Sequence, residues 1–166
     1  YLQKVMAMES TASTSRWRKN ILHLSGGSTA SERTLFKTYT QTFAAQIQQT
    51  SLAPSITTLS KTNDDPIEQI PIHKYLNEGL ALITMFGHSG LESTDLNIGY
   101  ASDSSHISPH TPYFPAVIVN GCATGSIFYS NSTISSDWIF APKSGAVLFL
   151  AHTFNGASSY LQRYTA

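Results

Sequence analysis

Two short apolar runs in this chain of 166 residues stop at reactive side chains flanked by glycine. Leu80-Ala81-Leu82-Ile83-Thr84-Met85-Phe86 runs into Gly87-His88-Ser89-Gly90, and Ala116-Val117-Ile118-Val119-Asn120 runs into Gly121-Cys122-Ala123-Thr124-Gly125. A short apolar run closed by Gly reads as a buried strand. In an open parallel sheet, the residues just past the C-terminal strand ends line the ligand crevice. If 80–86 and 116–120 are neighbours, His88 and the chain's one cysteine, Cys122, share that edge. A thiol beside an imidazole supplies what covalent acyl chemistry needs, a nucleophile and a proton-transfer group.

The remaining pattern extends this frame. Strands are expected at 19–24, 56–59 and 146–150, besides 80–86 and 116–120. Helices are expected at 1–9, from Ser28–Ser31 to about Ile47, from Asp64-Asp65-Pro66 to Gly79 with a break at Pro71, at 135–141 with Trp138 inward, and after Gly156. In the second helix Leu35, Phe36, Tyr39, Phe43 and Ile47 fall near one face. Residues 91–115 hold four Pro or Gly and many Ser, which predicts a long surface excursion. Alternating strands and helices argue an α/β fold, a mainly parallel sheet flanked by helices. Residues 1–166 read as one domain, and both ends read as cuts from a longer polypeptide.

Charged residues make up 12% of the chain and the net charge is zero. There is no electrostatic case for nucleic acid or an anionic membrane. No apolar stretch approaches the ~20 residues of a membrane span. One cysteine excludes an intrachain disulfide and leaves the redox compartment open.

Each candidate has a plainer reading. A free cysteine is often a small buried hydrophobe. Here Gly121 and Ala123 leave room for main-chain amides near a bound carbonyl, and a helix starting just after Cys122 would favour the thiolate. Gly87-His88-Ser89-Gly90 also invites a serine nucleophile, but Gly-x-Ser-x-Gly needs a glycine where Leu91 stands. His106 and His110 would pair on a metal only if helical, and Pro109 and Pro112 make the segment a loop. His23 lies inside a strand pattern and reads as structural. Ser25-Gly26-Gly27-Ser28 lacks the Gly-Lys-Ser/Thr ending of a phosphate loop and reads as a turn. Asn131-Ser132-Thr133 fits a glycosylation sequon.

At the His and Cys runs the chain resembles the gingipain family of cysteine peptidases, in the caspase-like clan. That clan is marked by an apolar strand ending in His-Gly and a later one ending in Cys. Trp17-Arg18-Lys19-Asn20, His23-Leu24-Ser25-Gly26-Gly27, Leu76-Asn77-Glu78-Gly79 and Lys143-Ser144-Gly145-Ala146-Val147 resemble the gingipain-like domain of PorU-type proteins of the type IX secretion system. Asn120-Gly121-Cys122-Ala123-Thr124-Gly125 is the most specific phrase.

The resemblance implies a caspase-like fold and peptide-bond hydrolysis or transpeptidation by a His88–Cys122 dyad through a thioacyl intermediate. It implies an oxyanion hole from the amides of Cys122 and Ser89 or Gly90, with Glu92 or Asp95 orienting His88. The pocket would come from Ala123 to Ser126 and Ala151 to Asn155, with Ala123, Thr124, His152, Thr153 and Asn155 touching substrate and Trp138 as a wall or a core residue. The substrate is a polypeptide, no metal or other cofactor is required, and the setting is secreted or at the bacterial outer surface. One departure stands out: Ser89 occupies the place where the family has Gly after the histidine. The role expected of Ser89 uses its amide and not its hydroxyl. The same departure supports an alternative, a catalytically inactive gingipain-like scaffold within a secretion or surface protein.

Overall fold

The two apolar runs lie side by side within a five-stranded parallel sheet in the computed structural model, which describes residues 1–130 and 132–165. The elements run α1 (Leu2–Glu9), a 3-10 turn (Arg16–Lys19), β1 (Asn20–Ser25), α2 (Ala30–Gln48), β2 (Ser55–Ser60), β3 (Glu68–Gln69), α3 (Ile72–Glu78), β4 (Leu82–Phe86), β5 (Leu96–Asn97), β6 (Ala116–Asn120), α4 (Ile134–Phe140), β7 (Leu148–Ala151) and α5 (Ser158–Thr165). The main sheet has the order β2-β1-β4-β6-β7, and β3 pairs with β5 apart from it. The chain winds outward from β1 to β2, then crosses back to β4 and continues to β7. The reversal between β1 and β4 is a topological switch point, where open α/β sheets bind ligands at the C-terminal strand ends.

Strand alternation divides the core between the two faces. Leu22, Leu24, Ile83, Met85, Val117 and Val119 point to one face, where they pack with Ile72, Leu76, Leu96, Ile98 and Trp138. Phe86 points to the other face and packs with Phe36 and Phe43 of α2 and Leu161 of α5. Helix α2 starts cleanly because Thr29 accepts the Glu32 amide at 3.2 Å while the Glu32 carboxylate accepts the Ser28 amide at 2.9 Å.

The structure differs from the sequence expectation in three places. No helix starts at Asp64: the Glu68 carboxylate accepts the amides of Thr62 and Asn63, Glu68–Gln69 pairs with β5, and helix begins only at Ile72, past Pro71. The segment 91–115 is not a surface excursion, since Leu96, Ile98, Ala101, Ile107 and Phe114 are buried. Its apolar anchors are spaced too irregularly to give a period. No helix follows Cys122, because 121–130 is a series of bends and turns and α4 begins at Ile134. The sequon asparagine, Asn131, lies outside the described residues.

Candidate active site

The site begins at the end of β4. Phe86 is buried against Phe36 and Tyr39, with ring centroids 5.0 and 4.9 Å away. The Gly87 amide donates to the Asn120 carbonyl at 3.2 Å, a last bond between the two strand ends, and His88 then leaves the sheet. The His88 side chain is 49% exposed and packs edge-on to Phe36. Its Nε2 lies 3.1 Å from Glu32 Oε2. An ionised carboxylate only accepts, so Nε2 carries the hydrogen and Nδ1 is the nitrogen left for chemistry. The hydrogen bond to His88 holds the Glu32 carboxyl below its ordinary pKa, partial burial opposes this, and the Ser28 amide adds to the lowering.

After His88 the chain doubles back. The Asp95 amide donates to the His88 carbonyl and the Gly90 amide to the Ser93 carbonyl, both at 2.9 Å, forming a bridge between Ser89 and Thr94. These two bonds flank the Ser89–Thr94 pair, so the Ser89 amide points out of the bridge. The Gly90 amide is consumed by Ser93, which corrects its expected place in an oxyanion hole.

Cys122 stands at the matching position beyond β6. Its Sγ is half-buried and lies 3.9 Å from the Gly156 carbonyl. Its own carbonyl accepts the Ser89 hydroxyl at 2.8 Å. The Thr124 hydroxyl donates to Ser89 Oγ at 2.7 Å and sits 3.2 Å from the same carbonyl. Gly121 permits this approach, because a Cβ there would come within 2.1 Å of Ser89 Oγ. The Ala123 amide donates to the Phe154 carbonyl at 3.0 Å, and Ala123 has a φ of 56°. His88 and Cys122 both line one cleft of about 220 Å³, together with Glu32, Gly156, Ser158 and Leu161.

The other expected site residues are placed as follows. Thr124 is fully buried and occupied with Ser89, so it props the cysteine turn and does not face a substrate. His152 and Thr153 line an adjacent cavity of about 260 Å³ with Val119, Leu150 and Ala151. Their carbonyls accept the Gly125 amide and the Ser126 hydroxyl, so segment 152–156 runs beside the cysteine turn through its main chain. Asn155 is exposed. Trp138 is a core residue, not a wall, with its Nε1 donating to the Gly99 carbonyl at 2.8 Å.

Asp95 does not orient His88. Its carboxylate accepts the amides of Gly27 and Leu96, tying the end of β1 to the loop after β4. Gly26 allows this, since a Cβ there would meet Asp95 Oδ1 at 2.0 Å. Glu92 is exposed and lies toward Tyr100, whose pKa is raised by burial and then by the Glu92 charge. The Ser89 hydroxyl is bound at both ends, which removes it as a nucleophile. His106 and His110 sit in a loop, and both His110 ring nitrogens face main-chain carbonyls. Among the described residues no three His, Cys, Asp or Glu side chains converge as a metal would require. His23 is buried against Thr84, and burial pushes its pKa down to about 4.

The carboxylate beside His88, Glu32, is one that sequence reasoning did not single out. Its signal was present as Thr29-x-x-Glu32, a capping-box pattern just after the Gly26-Gly27 turn that ends β1.

The family model described as peptidase family C25 matches residues 1–166. No curated protein matches the chain significantly. Among solved structures, the Arg-specific cysteine proteinase gingipain R (RGPB) matches with a TM-score of 0.74 at 16% identity, over 98% of this chain and 38% of its own. The complex of the pro- and mature domains of RgpB from Porphyromonas gingivalis matches with a TM-score of 0.68 at 15% identity, over 98% of this chain and 39% of its own. The chain thus spans well under half the length of these relatives, and at such identities the likeness is one of fold. With the family match running over every residue and the gingipain fold recovered, the chain belongs to peptidase family C25, the gingipain family of cysteine peptidases.

Proposed function

We propose that this chain is one domain of a larger polypeptide and carries the His–Cys centre of a cysteine peptidase, with Cys122 as nucleophile and His88 as proton-transfer group. The observation that supports this most is that both side chains line one cleft at the C-terminal edge of adjacent parallel strands. Glu32 orients the ring by accepting from Nε2, which leaves Nδ1 to exchange a proton with the thiol and then with the substrate.

In this mechanism the Cys122 sulfur attacks the scissile carbonyl carbon and a C–S bond forms. The carbonyl oxygen becomes an oxyanion facing the amides of Ser89 and Cys122. Such a donor is worth about 3–4 kcal/mol in a well-studied protease. As the tetrahedral intermediate collapses, the C–N bond breaks and His88 Nδ1 gives its proton to the departing amine. His88 then takes a proton from water, whose oxygen attacks the thioester, releasing the acid and the thiol. An amine entering in place of water gives transpeptidation.

Polypeptide is the substrate class, and a secreted or cell-surface setting follows from family kinship. The scaffold alternative is favoured by one observation, Ser89 in place of the expected glycine. Hydrolysis of a fluorogenic peptide library by the longer polypeptide separates the two. Turnover lost in Cys122→Ala supports the peptidase, and turnover retained in that variant defeats it.

A further inference from the structure

We infer that the Ser89 side chain is a positioning residue for Cys122: its hydroxyl clamps the Cys122–Ala123 peptide and so sets where the sulfur stands relative to His88. The inference rests on the dyad proposed above and assigns the dyad a support. Ser89 follows His88 directly, and its Oγ donates at 2.8 Å to the carbonyl of Cys122 itself. The bond therefore links the two reactive turns with no intervening residue on either side. The bond from the fully buried Thr124 holds the Ser89 rotamer from behind, and the missing Cβ of Gly121 gives Ser89 its room.

The other end of the same peptide is also held, because the Ala123 N–H donates to the Phe154 carbonyl at 3.0 Å. A peptide unit is planar, so bonds to its C=O and to its N–H together hold the plane that joins Cys122 to Ala123. Ala123 sits at a φ of 56°, a conformation that a residue with a Cβ keeps only when its surroundings hold it there. That plane contains the Cα of Cys122, so a tilt of it moves the base of the thiol side chain. The hydroxyl and the amide of Ser89 thus have separate tasks: the amide points out of the bridge toward an oxyanion, and the hydroxyl braces the nucleophile. A glycine at this place, as in the family resemblance, supplies only the first.

The test uses the longer polypeptide and iodoacetamide, whose methylene carbon is attacked by the Cys122 sulfur as iodide leaves. This readout needs no knowledge of the peptide substrate. Alkylation rates are followed by mass spectrometry at neutral pH. H88A is expected to slow alkylation of the parent protein at neutral pH by about ten-fold. S89A is expected to slow it about three-fold or more. In the S89A background H88A should then cost less than it does in the parent, the signature of coupled sites. T124V should resemble S89A, and T124S, which keeps the hydroxyl, should restore the rate. A fold defect alone would lower the melting temperature without erasing the effect of H88A, and the T124V/T124S pair decides the question if S89A does not fold. Parent-like rates in S89A and T124V, with the H88A effect undiminished, would overturn the clamp and leave the dyad standing. No effect of H88A in the parent would overturn both.

Discussion

Phe86 stands directly opposite Asn120 in the parallel ladder between β4 and β6, and His88 and Cys122 each follow two residues later. The equal offset brings an imidazole and a thiol off the sheet into one cleft. Their shared cleft is written into strand register, which the burial of both sheet faces fixes: a one-residue slip of either strand would send Met85 or Val119 to the face of α2.

Cys122→Ala is expected to abolish peptide hydrolysis by the longer polypeptide. Its stability cost should fall at the low end of the ~0.5–3 kcal/mol typical of point changes, because the sulfur is only half-buried. His88→Ala should lower kcat by about 10²–10⁴ with the fold intact. Steady-state kinetics beside thermal unfolding checks both.

Glu32→Gln keeps an oxygen that can accept the Ser28 amide, so α2 should start as before and the melting temperature should hardly change. The charge facing His88 is lost, and kcat should fall about ten-fold with KM little altered, as for a group that orients a general acid. Loss of stability without loss of kcat would make Glu32 a helix cap and nothing more.

His23 gives the fold an acid limit. Burial lowers its pKa from 6.5 to about 4. Between those values the unfolded chain binds a proton that the native one refuses, so stability is full above pH 6.5 and is lost as the pH falls toward 4. At roughly 1.4 kcal/mol per unit this amounts to about 3 kcal/mol. Urea unfolding at the two ends of the window measures it, and His23→Gln should remove this share. A parent protein equally stable at both ends would refute the assignment.

Gly121→Ala places a Cβ 2.1 Å from Ser89 Oγ and 2.9 Å from the Gly87 carbonyl. One of the two reactive turns must then move. The expected cost is about 1–3 kcal/mol of stability together with loss of the bond from Ser89 to Cys122. Urea unfolding gives the first quantity and the iodoacetamide rate of Cys122 reports the second.

The parallel sheet was legible because β4, β6 and β7 are mainly apolar runs, and Leu82–Phe86 and Ala116–Asn120 lie within the spans that the runs marked. What pattern alone could not supply were contacts made by residues far apart in sequence. Asp95 reads as a loop carboxylate, yet it closes the end of β1 through Gly27. Glu32 reads as the third residue of a helix, yet it meets His88 across 56 positions. Thr124 follows Cys122 closely enough to suggest substrate contact, but a turn with Ala123 at positive φ folds it inward. The segment 91–115 hid its core residues among serines and prolines because burial there follows no helix or strand period.

The central claim, that Cys122 is a nucleophile served by His88, is tested most directly by covalent labelling. The longer polypeptide is incubated with a mixture of peptidyl chloromethyl ketones differing in the residue before the reactive group, and the labelled site is mapped by mass spectrometry. The account predicts a single adduct on Cys122, lost in Cys122→Ala and strongly slowed in His88→Ala. No adduct on Cys122, or one formed equally fast without His88, would contradict it.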